Sequence, residues 1–345
     1  MNKHKYPYRW KLSDGYPGSN GLNVFGTFIC GGGSTMGYKL AGFNHLGGVE
    51  IDPKIADVYK ANHNPKYLYV EDIREFNKRT DLPDELYNLD LLDGSPPCSS
   101  FSMAGNREKD WGKKKVFKEG QSLQTLDDLF FDYIALAKKL QPKVVLAENV
   151  KGLIQGNAKS YVHKIKAGFE DAGYKVQLFL LNAASMGVPQ KRERVFFICQ
   201  RNDLNLPKLV MKFSEKAINF GSVRTHIGRD VLHTESGKLM KRRIKTDKST
   251  GDINMRLFGK LSGFTILIVQ DNDICPTITS GAPFKFRGFD GMDFSDKDYI
   301  SAGSFPSDFK FLDNYPRYII GMSVPPIMTA QIANQIYLQW FKLKT

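Results

Sequence analysis

Cysteine is scarce in this chain, four in 345 residues, and histidine little commoner at six. Cys30, Cys98, Cys199 and Cys275 lie far apart, with no C-x-x-C pair and no histidine at ligand spacing, so neither a disulfide framework nor a bound metal is expected. Reduced thiols fit a cytoplasmic setting. Long apolar runs are missing as well. No stretch approaches the ~20 residues of a membrane span, and Met1-Asn2-Lys3-His4-Lys5-Tyr6-Pro7 lacks the apolar core of a signal peptide. A membrane partner is therefore not expected. Internal repeats and low-complexity tracts are also lacking. Acidic residues run short, 36 Asp and Glu against 49 Lys and Arg, for a formal charge of +13. That imbalance points to a polyanionic partner.

The excess is concentrated. Residues 201–260 hold fourteen Lys and Arg against six Asp and Glu, with Lys241-Arg242-Arg243-Ile244-Lys245 at the peak. A solvated face is the plain alternative for such a run, and a basic module that contacts phosphates is the functional one.

The first two hundred residues alternate between strand and helix signals. Strands are expected at Asn23–Phe28, Gly47–Ile51, Tyr67–Val70, Leu89–Leu92, Val144–Ala147, Val176–Leu181 and Val195–Cys199. Helical spacing falls at Met36–Ala41, from Pro53 through Lys60, at Leu126–Leu140 and at Tyr161–Ala172. This pattern predicts a doubly wound α/β domain of the nucleotide-binding kind. From about 201 the alternation fails, and short β-rich pieces such as Thr265–Val269 suggest a smaller, separate module up to 300. Helical spacing returns in Ile327, Ile332, Ala333, Ile336 and Tyr337, which are expected to pack back on the first domain. The expected division is thus 1–200, completed by 301–345, and 201–300.

Gly94-Ser95-Pro96-Pro97-Cys98 follows the apolar run Leu89–Leu92. A residue there projects into the crevice where open α/β sheets bind ligands, and two prolines restrict the backbone ahead of the thiol. The placement suits a nucleophile; alone, Cys98 would read as a small buried hydrophobe. Gly31-Gly32-Gly33 after the first strand lets a ligand approach backbone closely, which fits NAD, FAD and S-adenosylmethionine enzymes alike; a plain tight turn is the other reading. Glu50 ends the second strand, where such folds place an acid on ribose hydroxyls. Asp72 has two readings, an acceptor for an adenine amino group or a cap for the helix starting near Ile73.

Taken together these residues resemble the cytosine-C5 DNA methyltransferases, S-adenosylmethionine-dependent enzymes of bacterial or phage restriction-modification type. The likeness is colinear. Phe28 to Gly37 looks like the family's F-x-G-x-G-G cofactor loop, Gly94 to Cys98 its nucleophile loop, Glu148-Asn149-Val150 its E-N-V motif, Gln190 to Arg194 its Q-x-R-x-R motif, and Gly321 to Pro325 its terminal G-N-S-V segment. Cys30 and Met322 depart from the loop's first glycine and the terminal asparagine.

The resemblance implies a Rossmann-like methyltransferase domain with a smaller β-rich DNA target-recognition domain. It implies S-adenosyl-L-methionine held by Phe28, Gly31, Gly32, Gly33, Glu50, Ile51, Asp72, Ile73, Pro96, Ser323 and Val324. Cys98 is implied to add to cytosine C6, because C5 is a poor nucleophile until electron density is pushed onto it. Glu148 would relieve charge at N3. Arg194 would contact O2, with Arg192 in the same catalytic set and, like Gln190, a support. DNA contacts fall to Ser99, Ser100, Arg107, Gln190, Lys241, Arg242, Arg243 and Lys245. The segment from Ser99 through Trp111 and Lys113-Lys114-Lys115 reads as a lid over a flipped base. The partner implied is double-stranded DNA, with a companion restriction endonuclease acting separately and the chain a monomer located on nucleoid DNA. An RNA (tRNA) cytosine methyltransferase is the alternative enzyme, though its branch has a short insert where this chain has a long basic module. A catalytically silent DNA-binding homologue predicts loss of Cys98 or Glu148, and a nicotinamide oxidoreductase leaves the combination of motifs unexplained.

Overall fold

The computed structural model describes residues 4–97, 128–155, 159–261, 265–281 and 286–342. Two compact units emerge. The larger comprises Tyr16–Asn182, Glu193–Lys212 and Thr329–Thr345; the smaller comprises Met1–Gly15, Ala183–Arg192 and Phe213–Met328. These bounds differ from a division at 200 and 300. The N-terminal segment belongs to the smaller unit because Trp10 donates its indole N–H to the Ser304 carbonyl (3.0 Å) and Asp308 accepts from the Leu12 and Ser13 amides. No local sequence pattern announces such long-range bonds.

The larger unit follows the expected alternation: β1 (Asn23–Thr27), α1 (Gly33–Leu40), β2 (Asn44–Glu50), α2 (Pro53–His63), β3 (Tyr67–Val70), α3 (Ile73–Lys78), β4 (Leu91–Gly94), α4 (Leu129–Leu140), β5 (Val144–Val150), α5 (Lys159–Asp171), β6 (Tyr174–Asn182) and β7 (Glu193–Arg201). Among the described residues the sheet order is β3-β2-β1-β4-β5-β7-β6. β1 to β5 run parallel, and β7 is antiparallel to both neighbours. The order reverses between β1 and β4, which opens a crevice at their C-terminal ends. β4 lies two residues later than the apolar run suggested, so Asp93 and Gly94 belong to the strand.

Register assigns the faces. Phe25, Leu92 and Val145 stand side by side and pack with Phe76, Phe130, Tyr133 and Phe169 from α3, α4 and α5. Gly26, Asp93 and Leu146 occupy the other face, which Tyr38 of α1 reaches. The C-terminal segment does pack on this unit: Trp340 is buried and donates to the Pro207 carbonyl, and Tyr337 meets Phe43 edge-on.

The smaller unit contains α6 (Glu235–Met240), α7 (Thr250–Phe258), β8 (Leu267–Val269), β9 (Phe286–Gly288), α8 (Asp296–Ala302) and α9 (Pro316–Met322). Its described strands are two of three residues each, so the β-rich expectation holds only there. Short capped helices carry the rest: Ser249 and Ser295 cap α7 and α8 through their hydroxyls.

Candidate active site

β4 and β5 end side by side, with Gly94 in register with Ala147. Gly94 has to be glycine, since a Cβ there would lie 2.5 Å from the Tyr133 ring and 2.6 Å from the Thr27 hydroxyl. Tyr133 itself donates to the carbonyls of Leu92 and Leu146, pinning both strands. Just beyond, the Asn149 side-chain amide donates to the Pro96 carbonyl at 3.0 Å, while its oxygen accepts from the Val150 amide. Asn149 is 4% exposed. This clamp sets the backbone two residues ahead of Cys98, a role sequence reasoning did not assign. Cys98, Ser99, Ser100, Arg107 and the lid segment through Lys115 lie outside the described residues. Burial pushes the thiols of Cys199 and Cys275 up, which leaves both poor nucleophiles.

Glu148, two residues beyond Leu146, projects from the same face of β5 as Asp93 does from β4. Antiparallel pairing sets Phe196 opposite Glu148, so Arg194 on β7 also shares that face. Its Nε lies 2.9 Å from Glu148 Oε1, and both side chains are nearly enclosed. Burial lowers the Arg194 pKa from its usual value, opposed by Glu148. The guanidinium also donates to the Glu193 carbonyl. Carboxyl and cation therefore stand together beside the loop that leads to Cys98.

Asp93 is a site residue hidden in the sequence by its apolar neighbours. Its carboxylate accepts from the Tyr38 hydroxyl at 3.1 Å. Burial, reinforced by the charge of Glu148, raises its pKa to about 7.

The glycine loop is tightly shaped. Gly32 has φ +82°, and a Cβ there would overlap His63 Nε2, which meets the Gly31 carbonyl at 3.0 Å. Burial drives the His63 pKa down to about 3. Phe28 and Cys30 both adopt positive φ, 52° and 48°, so the position where the resembled family has glycine keeps a conformation that favours glycine. Glu50 accepts from the Cys30 amide (2.9 Å) and the Asp52 amide (3.1 Å). Burial raises its pKa against those bonds. A carboxylate has about four lone-pair sites, so Glu50 retains acceptor capacity for a ribose hydroxyl. Ile51, beside it, is half-buried. This cradle of backbone and acid fits an adenosyl cofactor. Asp72 caps α3 through the Arg74 amide and holds the Arg74 guanidinium through both oxygens. Ile73 is buried in the hydrophobic core.

The Gln190–Arg194 motif is divided between the units. Gln190, expected on DNA, is 1% exposed; it donates to the Ala302 carbonyl and accepts from the Ile278 amide, so its side chain braces the smaller unit. Arg192, expected in the catalytic set, is likewise buried, donating to the carbonyls of Ile278 (2.8 Å) and Gly321 (2.9 Å). Arg192 precedes β7, whereas Arg194 lies within it and meets Glu148. Ser323 and Val324 follow α9 in the smaller unit, both buried, with the Ser323 hydroxyl on the Ile319 carbonyl. Of the basic cluster, Lys241, Arg242 and Lys245 are exposed. Arg243 instead bonds the Met240 carbonyl and stacks on Phe289, 4.9 Å from the ring centroid.

A family model described as C-5 cytosine-specific DNA methylase matches residues 22–257. The Type II methyltransferase M.FnuDI of Fusobacterium nucleatum is 39% identical over 189 residues, 54% of this chain and 48% of the relative. M.NgoPII of Neisseria gonorrhoeae is 37% identical over 191 residues, 54% and 50% of the two chains. The chain thus matches these curated relatives over about half their length. Among solved structures, a putative DNA modification methyltransferase encoded within an E. coli prophage superposes with a TM-score of 0.64 at 20% identity, over 92% of this chain and 99% of that one. It shares the fold.

Proposed function

Because the chain belongs to the C-5 cytosine-specific DNA methylase family, we propose that it transfers a methyl group to C5 of cytosine within a specific short sequence of duplex DNA. The observation that carries the reading is the junction at the ends of β4 and β5: Asn149 holds the Pro96 carbonyl, and Glu148 stands against Arg194. Gly31, Gly32, Gly33 and Glu50, with Phe28 and Ile51 beside them, are the residues that would hold S-adenosyl-L-methionine. Bound there, it supplies an electrophilic methyl group.

Cytosine C6 is shielded in a stacked duplex, so the base has to leave the stack, at about a few kcal/mol. The Cys98 thiolate adds to C6, and the electron pair moves toward C5 as N3 takes a proton from Glu148. Arg194 orients Glu148 and contacts O2. C5 takes the methyl group and then loses its own proton to water, the pair left behind expels Cys98 as the thiolate, and N3 returns its proton to Glu148. Residues 213–328 carry the basic surface that reads DNA. A companion restriction endonuclease, where one exists, acts separately, and the chain works on nucleoid DNA as a monomer. Among the described residues no helix is long and apolar enough to cross a membrane.

Bisulfite sequencing of DNA from a host expressing the chain tests the reading. Protected cytosines in one recurring sequence context are expected; uniformly converted DNA would overturn it.

A further inference from the structure

The outer face of α7 is apolar where water would favour polar groups. Ile253 and Leu257 turn inward onto Met240 and Ile268, forming a small core of the unit's own. Met255 and Phe258, three residues apart on the other face, are 46% and 54% exposed, and nearby Ile244 is 45% exposed. The Arg242 guanidinium lies over the Phe258 ring at 5.9 Å. Arg256 fixes this arrangement by bonding both the Asp247 carboxylate and the Arg242 carbonyl. Lys241, Lys245 and Lys260, close to these residues in sequence, are all exposed. The acids of the segment are already engaged: Asp247 with Arg256, Asp252 with the Lys248 amide.

An apolar ring under a cation, in a segment rich in exposed cations, complements a duplex groove. Phosphates lie outside and meet lysine, while base edges and thymine methyls lie inside and meet planar or apolar groups. A buried protein interface would show fewer lysines. We propose that Arg242, Met255 and Phe258 form the base-reading surface of this chain and that Lys241, Lys245 and Lys260 hold the flanking phosphates. The proposal rests on the reading of the chain as a DNA cytosine methyltransferase and adds which side chains choose the sequence. It also removes Arg243 from the contact set, since that guanidinium supports Phe289 and Met240.

The test uses the whole chain and duplexes carrying the methylated sequence context or single-base variants of it. Met255→Ala/Phe258→Ala should reduce discrimination between cognate and variant duplexes by about tenfold or more, with the slope of log K against log salt unchanged. Lys241→Gln/Lys245→Gln should flatten that slope by roughly 0.9 per contact, equally on every duplex, with discrimination kept. Thermal melting checks that both variants fold, and Phe258→Gln, which keeps an exposed side chain of similar reach, repeats the first arm. Discrimination retained by the apolar variants of a chain that does methylate DNA would overturn the inference alone. Wild-type self-association that these variants abolish, with discrimination intact, would give the face to a second copy. A wild-type chain that methylates no DNA would overturn the parent reading instead.

Discussion

In the larger unit Glu148 and Arg194 stand on neighbouring strands, and pairing register decides which face each occupies. In the smaller unit Gln190, Arg192 and Arg224 reach carbonyls and carboxylates across loops; Arg224 alone is paired with Asp271 and Asp290. The first arrangement fixes side chains by backbone hydrogen bonding and leaves their charged ends available for chemistry. The second uses up charged ends to fix backbone. Arg192 and Arg194, two residues apart, illustrate both: one guanidinium is consumed by Ile278 and Gly321, the other meets a carboxylate. A basic residue in a motif is thus a contact only where something else supplies the rigidity.

That contrast can be broken most severely at Glu148. Glu148→Gln should lower single-turnover methylation by about 100-fold or more while duplex affinity stays within about tenfold, because phosphate contacts dominate binding. Equal losses in both would make Glu148 structural and erase the distinction.

Arg192→Met sharpens the contrast from the other side. It leaves two buried carbonyls without their donors, so stability should fall by about 1–3 kcal/mol, read as an earlier denaturant midpoint. Turnover per folded molecule should change far less than it does in Arg194→Met. A stable Arg192→Met chain that turns over poorly would return Arg192 to the catalytic set.

The smallest effect is a pH dependence within the larger unit. Asp93 has a folded pKa of about 7, above the ordinary carboxyl value near 4. The folded state therefore holds a proton that the unfolded chain has released, so this group's contribution is full below about pH 4, declines as pH rises toward 7 and is level above it. Asp93→Asn should flatten that part of the stability profile and raise stability relative to wild type above pH 7. Parallel profiles for the two chains between pH 4 and 7 would contradict the burial-driven shift.

Strand positions, the glycine loop and the motif positions were legible because each is local: alternation of apolar runs, glycines after a strand, prolines before a cysteine. Asp93 was not, since the run Leu89-Asp90-Leu91-Leu92 reads as a complete strand and only register shows that the strand starts later. The Asn149 clamp joins positions 53 residues apart, and spacing cannot reveal a hydrogen bond across that distance. The membership of 1–15 and 183–192 in the smaller unit has the same cause. Asp72 carried two readings because the same residue type serves a cap and a ligand; the cap is the one the structure displays. Gln190 and Arg192 were expected as supports, but the carbonyls they hold, on Ala302, Ile278 and Gly321, lie too far along the chain for spacing to reveal.

The proposed reaction requires a covalent bond between Cys98 and C6 of an extruded cytosine. Trapping measures it directly: a duplex with 5-fluorocytosine at the methylated position, incubated with the chain and S-adenosylmethionine, blocks the final proton loss from C5. The account predicts a denaturation-resistant adduct whose proteolytic fragment carries the base on Cys98, absent from Cys98→Ser. A chain that methylates ordinary duplex yet yields no adduct, or an adduct that persists in Cys98→Ser, would contradict it.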